Sequence, residues 1–348
     1  MIRLLVAAIV GLAACCPALA QVGALPPGQA RPVLIATSLR VLDISRVQEN
    51  LGEMSANVEF TLKWSDSRLA FDAQREGRTQ KQFSERAAAQ ELDKMWHPAA
   101  ALRNIIGSPR SDEAGLIIGA GGEVTLVRLV DASFRFPIDM TEFPFDDLIL
   151  PIELTSSRFA QTEVVFTHFA RDDAVTTLNP NPRASSWRLQ SLYFDQKEYV
   201  GWNGENRSLL VVNIEAKRKS GQVVLRIFVP FFMIMMSSLF VLWLPDTNYF
   251  GKGTMIFSAV IALVALTFTL ESNFPGSMSL QTPVSLVMTT GFIYLVSALI
   301  LNILVMNPEA VWAKKHSYLA AEVRSIIKWA VPVLMLVIWL SLILRAMV

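Results

Sequence analysis

Residues 254–271 read TMIFSAVIALVALTFTLE. A run of this length and polarity matches the roughly twenty residues that cross a bilayer's hydrocarbon. Spanning such a layer requires a helix, because each backbone N–H and C=O then finds its partner inside the segment. At helical spacing Thr254, Ser258, Ile261, Ala265 and Phe268 share one face, and Glu271 closes the run. That stripe is hydroxylic at one end and apolar further along. One helix cannot enclose a pore, but a ring of copies around an axis can. The hydroxyls would replace part of an ion's hydration, and rings of Ile261, Ala265 and Phe268 would form a constriction that closes by losing water. The same hydroxyls suit a second reading, in which they bond their own backbone or a neighbouring helix. Glu271 reads either as an acidic ring that concentrates cations or as a solvated helix end.

Around this run, which is shorter than the rest and carries Thr254, Ser258, Thr267 and Thr269, lie three longer apolar ones. With 253–271, the stretches 223–244, 283–305 and 326–347 predict a four-helix transmembrane bundle over 220–348. Only 7 of the 31 Lys and Arg fall there. Lys314, Lys315, Arg324 and Lys328 follow the third run, and Lys252 precedes the second, which places both loops in the cytoplasm. The N-terminal part and the C-terminus then face the periplasm of a bacterial inner membrane. Residues 1–20 support the same placement. Arg3, an apolar core and Ala18-Leu19-Ala20 have the form of a secretory signal peptide, although Leu12-Ala13-Ala14-Cys15 also resembles a lipoprotein site. Both cysteines, Cys15 and Cys16, lie in this segment, so cleavage after Ala20 leaves no thiol and no disulfide. A net charge of +1 gives no argument for nucleic acid.

Residues 21–219 have a different texture. Short runs rich in Val, Ile, Leu, Thr and Phe at 33–44, 56–64, 124–130, 148–154, 164–168, 187–194 and 209–216 predict strands, with one helix over 79–92. Strands without interleaved helices point to an all-β, immunoglobulin-like β-sandwich. Catalytic signals are poor. His97, His168 and His316 are not spaced for a metal site, no nucleophile elbow or phosphate loop is present, and the Asp pairs at 146–147 and 172–173 suit turns. The expectation is no enzyme, no metal and no cofactor.

Within this region Phe136-Pro137-Ile138-Asp139-Met140-Thr141-Glu142-Phe143-Pro144-Phe145-Asp146 resembles the signature loop of Cys-loop receptors. That loop runs from one cysteine through an acidic residue and Phe-Pro-Phe-Asp to a second cysteine. Phe136 and Leu150 stand at the cysteine positions, as in the bacterial branch of the pentameric ligand-gated ion channels. Trp64-Ser65-Asp66-Ser67-Arg68-Leu69 is similar to the family's Trp-x-Asp-x-Arg-Leu. Met95-Trp96-His97-Pro98 with Asn104 resembles its first binding loop, with Ala99 where Asp is usual. Arg218, twelve residues ahead of Pro230, and Pro275 fall where the family has its pre-helix arginine and linker proline. The resemblance covers residues 31–347.

What it implies is a homopentamer in membrane lipid that opens to inorganic ions when a small-molecule agonist or protons bind the sandwich. Thr254, Ser258, Ile261, Ala265, Phe268 and Glu271 would line the pore, with Ile261 the central gate. Ligand candidates are Trp96, Phe159, Tyr193, Tyr199 and Trp202 on one subunit and Glu59 on its neighbour. An aromatic cage of that kind favours a cationic amine. Coupling would run through Glu49, Asp139, Phe143, Pro144, Asp146, Arg218 and Pro275, with Glu49 and Asp139 expected to pair with Arg218. Glu271 argues for cations, whereas Phe250-Gly251-Lys252 lacks the acidic residue usual at a cation channel's inner mouth. The competing class is a non-conducting, membrane-anchored periplasmic sensor.

Overall fold

The computed structural model describes residues 24–347 apart from 171–172, 174–175, 180–182, 185, 245–248, 280–281, 306 and 308–310. The leader at 1–20, with Cys15 and Cys16, lies outside the described residues. Two sheets form the N-terminal sandwich. The larger holds β1 (Val33–Gln48), β2 (Glu53–Ser65), β3 (Gln80–Ser84), β5 (Ile105–Gly119), β6 (Glu123–Arg135), β8 (Val164–Thr167) and β9 (Thr177–Leu178). Its order is β3-β5-β6-β2-β1-β8, with β9 also paired to β1. The smaller holds β4 (Ala100–Leu102), β7 (Asp147–Ser156), β10 (Trp187–Val200) and β11 (Asn206–Arg218), in the order β10-β11-β7-β4.

Strand periodicity explains the core. Successive residues of a strand point to opposite faces, and in β2 Met54, Ala56, Val58, Phe60, Leu62 and Trp64 are buried while their neighbours are less covered. Phe134 of β6, Leu150 of β7 and Ile214 of β11 meet them from the other strands. The seven strands expected from the sequence all form. One expectation fails: 79–92 is not a single helix. Gln80–Ser84 is a strand with alternating exposure, paired to β5, and only α2 (Glu85–Leu92) is helical, after the short α1 (Ala73–Glu76). The ladder with Gly115–Gly119 satisfies backbone groups that a lone first helical turn would leave open.

The C-terminal part is helical. It comprises α3 (Ser220–Phe240), extended by a 3-10 turn at Val241–Trp243, α4 (Tyr249–Asn273), α5 (Pro283–Leu304), α6 (Val311–Lys315) and α7 (Ser317–Met347). Each of the four long helices is long and apolar enough to cross a membrane. Thr282 caps α5 by accepting from Ser285 N–H at 3.2 Å, and Pro283 sits where no intrahelical donor is needed. The bundle centre is aromatic: Phe231 and Tyr294 pack edge-on to Trp339, with centroids 5.5 and 5.7 Å apart.

Candidate functional site

The stripe on α4 is left bare by its own subunit. Thr254, Ser258, Ile261, Ala265, Phe268 and Glu271 are exposed, whereas Ile256, Ala259, Leu263 and Leu270 turn into the bundle. The hydroxyls do bond backward. Thr254 Oγ1 donates to Phe250 O at 3.1 Å, and Ser258 Oγ donates to Thr254 O at 3.0 Å. With the proton spent on the backbone, each oxygen keeps its acceptor lone pairs for the outside. Glu271 is turned sideways rather than freely solvated. Its carboxylate accepts from Gly276 N–H at 3.0 Å and Met278 N–H at 3.2 Å, tying the end of α4 to the linker that carries Pro275. Lys252 is only 1% exposed, so its charge is not presented at the surface of the lone subunit.

The junction between sandwich and helices is a buried charge cluster. Arg218 ends β11, two residues before α3. Its Nε and Nη2 donate to the two carboxylate oxygens of Asp146 at 2.7 and 2.8 Å. Its Nη1 and Nη2 donate to Glu49 at 3.0 and 2.7 Å. The guanidinium side chain is 1% exposed. Burial alone would pull Arg218 down, but the hydrogen bonds from Asp146 and Glu49 outweigh it and hold the group above its ordinary value. Asp139, expected here, is elsewhere. Its carboxylate accepts from Thr141 N–H at 2.9 Å and Thr141 Oγ1 at 2.5 Å, which also hold it below its ordinary value. Such a short local turn outcompetes a distant partner, and Asp146, ten residues from Phe136 along the chain, is the one that faces Arg218.

Aromatic rings complete the junction. Arg218 lies 4.4 Å from the Trp187 ring and 5.1 Å from Phe143, and Phe143 packs on Phe274 with centroids 4.8 Å apart. Phe143 and Met140 belong to the apolar cluster of the helices, although both come from the sandwich. Gly52, in the turn after Glu49, has φ +65°, and a Cβ there would meet Phe136 O at 2.9 Å. The turn and the 136–146 loop are therefore pressed together at a position only glycine fills. Trp187 and Phe274 escaped the sequence reading. Trp187 pairs across the ladder with Arg218, a register no single-sequence pattern reveals.

The ligand candidates divide. Trp96 is 2% and Phe159 6% exposed; they pack on each other at 5.6 Å and Trp96 packs on Trp64 at 6.2 Å, so both belong to the sandwich core rather than to an open cage. Hydrophobic burial of these large rings explains the difference. Tyr193 and Trp202 are at the surface, 40% and 89% exposed. Tyr199 is half-buried, with Arg103 over its ring at 4.7 Å. Glu59 faces outward on β2 and pairs with Arg40 at 3.8 Å. Among the described residues no group of three His, Cys, Asp or Glu is placed to hold a metal ion.

This architecture, a two-sheet sandwich on four membrane-length helices, agrees with the sequence comparison. Residues 23–220 match the neurotransmitter-gated ion-channel ligand binding domain family. The chain belongs to that family. It is 23% identical over 252 residues to a proton-gated ion channel of Gloeobacter violaceus, covering 72% of this chain and 67% of the relative. It is 20% identical over 280 residues to the gamma-aminobutyric acid receptor subunit gamma-1 of Rattus norvegicus and of Homo sapiens, covering 77% of this chain and 57% of each relative. The family is one of ligand-gated ion channels and not of enzymes, and the four spans make this member a multi-pass membrane protein. The family match also covers Arg218 and the two carboxylates that hold it.

Proposed function

We propose that this channel-family chain is one subunit of a homopentameric, ligand-gated cation channel of a bacterial inner membrane. Its leader at 1–20 is removed, and residues 21–219 face the periplasm. A small ligand or protons bind the sandwich, and copies of α4 open around a central pore. The observation that carries this reading is the uncovered stripe of α4. Thr254 and Ser258 are polar and bare on a helix that crosses lipid. Hydrocarbon does not tolerate such groups well, whereas a water-filled axis does.

Back-bonded hydroxyls favour cations, because they offer rings of acceptor oxygens and no free donors. Lys252 is buried in its own subunit and keeps its charge away from the path, although the inner end still lacks an acidic residue. Ile261 and Phe268, both bare and apolar, form the rings whose dewetting closes the path. Force reaches α4 through the Glu49–Arg218–Asp146 cluster and the contact of Phe143 with the linker at Phe274. The test is Ile261→Ser in full-length protein reconstituted in bilayers. A polar ring at that level keeps water in the closed pore, so spontaneous openings rise and half-maximal activation moves to lower stimulus. A variant with an unchanged closed state removes Ile261 from the gate. Reversal potentials in salt gradients report selectivity, and a reversal that follows chloride overturns the cation assignment.

A further inference from the structure

The turn between α2 and β4 is bent around a histidine. Ala99 has φ +48°, a left-handed conformation that residues with a Cβ adopt only at a cost. Its N–H donates to His97 Nδ1 at 3.2 Å. The carbonyls of 98–100 are fastened elsewhere. Pro98 O accepts from Ser156 Oγ at 2.8 Å. Ala99 O accepts from Ser157 N–H at 2.9 Å and from Ser157 Oγ at 3.1 Å. Ala100 O accepts from Arg128 Nη1 at 3.3 Å. One side of a strained turn is therefore gripped by β6 and the end of β7, and the imidazole holds the other. That bond fixes the tautomer. With Nδ1 accepting, the neutral ring carries its proton on Nε2, so the one basic nitrogen left is the one that holds Ala99. A second proton lands on Nδ1, turns the acceptor into a donor and sets two N–H groups against each other.

The surroundings oppose that proton while the turn is closed. Burial is the main force that holds His97 below its ordinary value. Asp93, just past α2, works against it, and Arg158 after β7 and Arg128 of β6 add to it. Arg128 is partly neutralised by Asp112, to which its Nε donates at 3.1 Å, and Arg158 lies 5.6 Å from the Phe159 ring. A closed turn thus binds a proton poorly, whereas an opened one presents an ordinary imidazole, so acid favours opening. The turn is also well placed to be felt elsewhere. Trp96, next to His97, packs on Phe159, whose N–H donates to Ser156 Oγ at 3.0 Å. Ala100 of β4 pairs with Ser156 of β7. From there β7 runs back to Asp147, beside the Asp146 carboxylate that holds Arg218.

We propose that His97 is a proton-binding site that controls this turn: a proton on Nδ1 breaks the bond to Ala99 N–H, and the 97–99 turn relaxes and loosens β4 from the end of β7. The inference rests on the reading of the chain as gated by a small ligand or protons, and commits to protons acting at one nitrogen. Amide exchange of the full-length protein in detergent reads the turn without any current. After correction for the chemical exchange rate, Ala99 N–H should lose at least about tenfold of its protection between about pH 7.5 and about pH 5. His97→Asn offers Oδ1 to the same N–H in an Asx turn and takes up no proton there, so its protection should persist at both pH values. Ala99→Gly relieves the left-handed residue, worth about tenfold in the equilibrium, and should move the midpoint of the loss about one pH unit toward acid. Wild-type protection that does not change with pH, a His97→Asn protein that loses it as the wild type does, or an Ala99→Gly midpoint that stays or moves toward neutral would overturn the proposal. Currents separate the two readings. In bilayers the wild type should open as the pH falls, and His97→Asn should need a more acid bath. A channel that opens to another small ligand and ignores pH removes the proton assignment alone. A wild type that never conducts removes the channel, and the exchange result then decides the turn by itself.

Discussion

Replacing Arg218 with Met is the sharpest probe of the junction. The change strands Glu49 and Asp146, whose side chains are 10% and 5% exposed, without their shared cation. Four N–H···O contacts between 2.7 and 3.0 Å disappear. At about 1.5–3 kcal/mol for each bond to a charged group, a naive sum is roughly 6–12 kcal/mol. The bonds share one guanidinium and offset its desolvation, so the sum overshoots, and removing one member of a buried ion cluster costs about 3–5 kcal/mol. The loss comes mainly from stranded charge, which makes it reversible by neutralisation. Arg218→Met with Glu49→Gln and Asp146→Asn should recover at least half of it. Asp146→Asn alone should be worse than Glu49→Gln alone, because Asp146 is the more buried partner. Near-ultraviolet circular dichroism of the full-length protein during denaturation reads all four variants, with Trp187, 4.4 Å from the guanidinium, as a local reporter. A triple variant no more stable than Arg218→Met would refute the reasoning, because the loss would then lie in packing and not in unpaired charge.

Three more outcomes follow from the geometry. Phe143→Ala removes a fully buried ring between Arg218 and Phe274, at a cost of about 3–5 kcal/mol. It should also raise the stimulus needed for half-maximal current, and an unchanged half-maximum would deny the ring a role in coupling. Burial holds His97 below its ordinary value despite Asp93, and Ala99 N–H donates to its Nδ1 at 3.2 Å, a bond that needs an unprotonated nitrogen. The unfolded chain therefore takes up this proton first. The contribution is intact above the unfolded value near about 6.5 and is lost as pH falls from there toward the depressed folded value. His97→Gln should flatten that slope in stability against pH. Gly291→Ala places a Cβ 2.8 Å from Phe231 Cε2 and 3.3 Å from Leu263 Cδ2, and Phe231 is itself locked against Trp339. Overpacking should cost about 1–3 kcal/mol in thermal unfolding, and a more stable variant would show that the helices are free to move apart.

Much of this fold was legible because two periodicities dominate it. The even-numbered apolar residues of β2 and the apolar runs of α3, α4, α5 and α7 follow from local pattern alone, so their elements emerge from the sequence. β5 did not emerge, since Ser108-Pro109-Arg110-Ser111-Asp112-Glu113 breaks the apolar alternation where the strand shifts register against β6 between Ile106 and Ser111. The junction was half legible. Glu49, Asp146 and Arg218 could be singled out by resemblance, but which carboxylate meets the arginine depends on contacts 72 and 169 residues apart in the chain. A turn that satisfies Asp139 locally is invisible to a search for charge partners. Trp96 and Phe159 misled for a related reason: an aromatic residue looks the same in sequence whether its ring faces a ligand or Trp64.

Exposure in a single subunit separates the two helices that the bundle covers least. α7 is bare along much of its length, and its large uncovered apolar side chains include Trp329, Leu334, Leu336, Leu340 and Leu344. Lipid suits these apolar side chains, and the exposed Ser341 among them donates back to Ile338 O at 2.7 Å. α4 is also largely uncovered, yet its bare face mixes Ile261 and Phe268 with Thr254, Ser258 and Glu271. A face of that composition pointed at acyl chains would hold the remaining lone pairs of the back-bonded hydroxyls, and a carboxylate bonded only to Gly276 and Met278 N–H, away from water. Contact with a second copy alone would bury the polar groups equally, unless each found a partner of its own. On the proposed function, water along a shared axis suits both halves of the stripe, since it would hydrate the hydroxyl oxygens and would be expelled from the isoleucine and phenylalanine levels when these close. On that same proposal, the amino acids that make α4 a poor lipid-facing helix are the ones that would let a ring of copies both pass and refuse an ion.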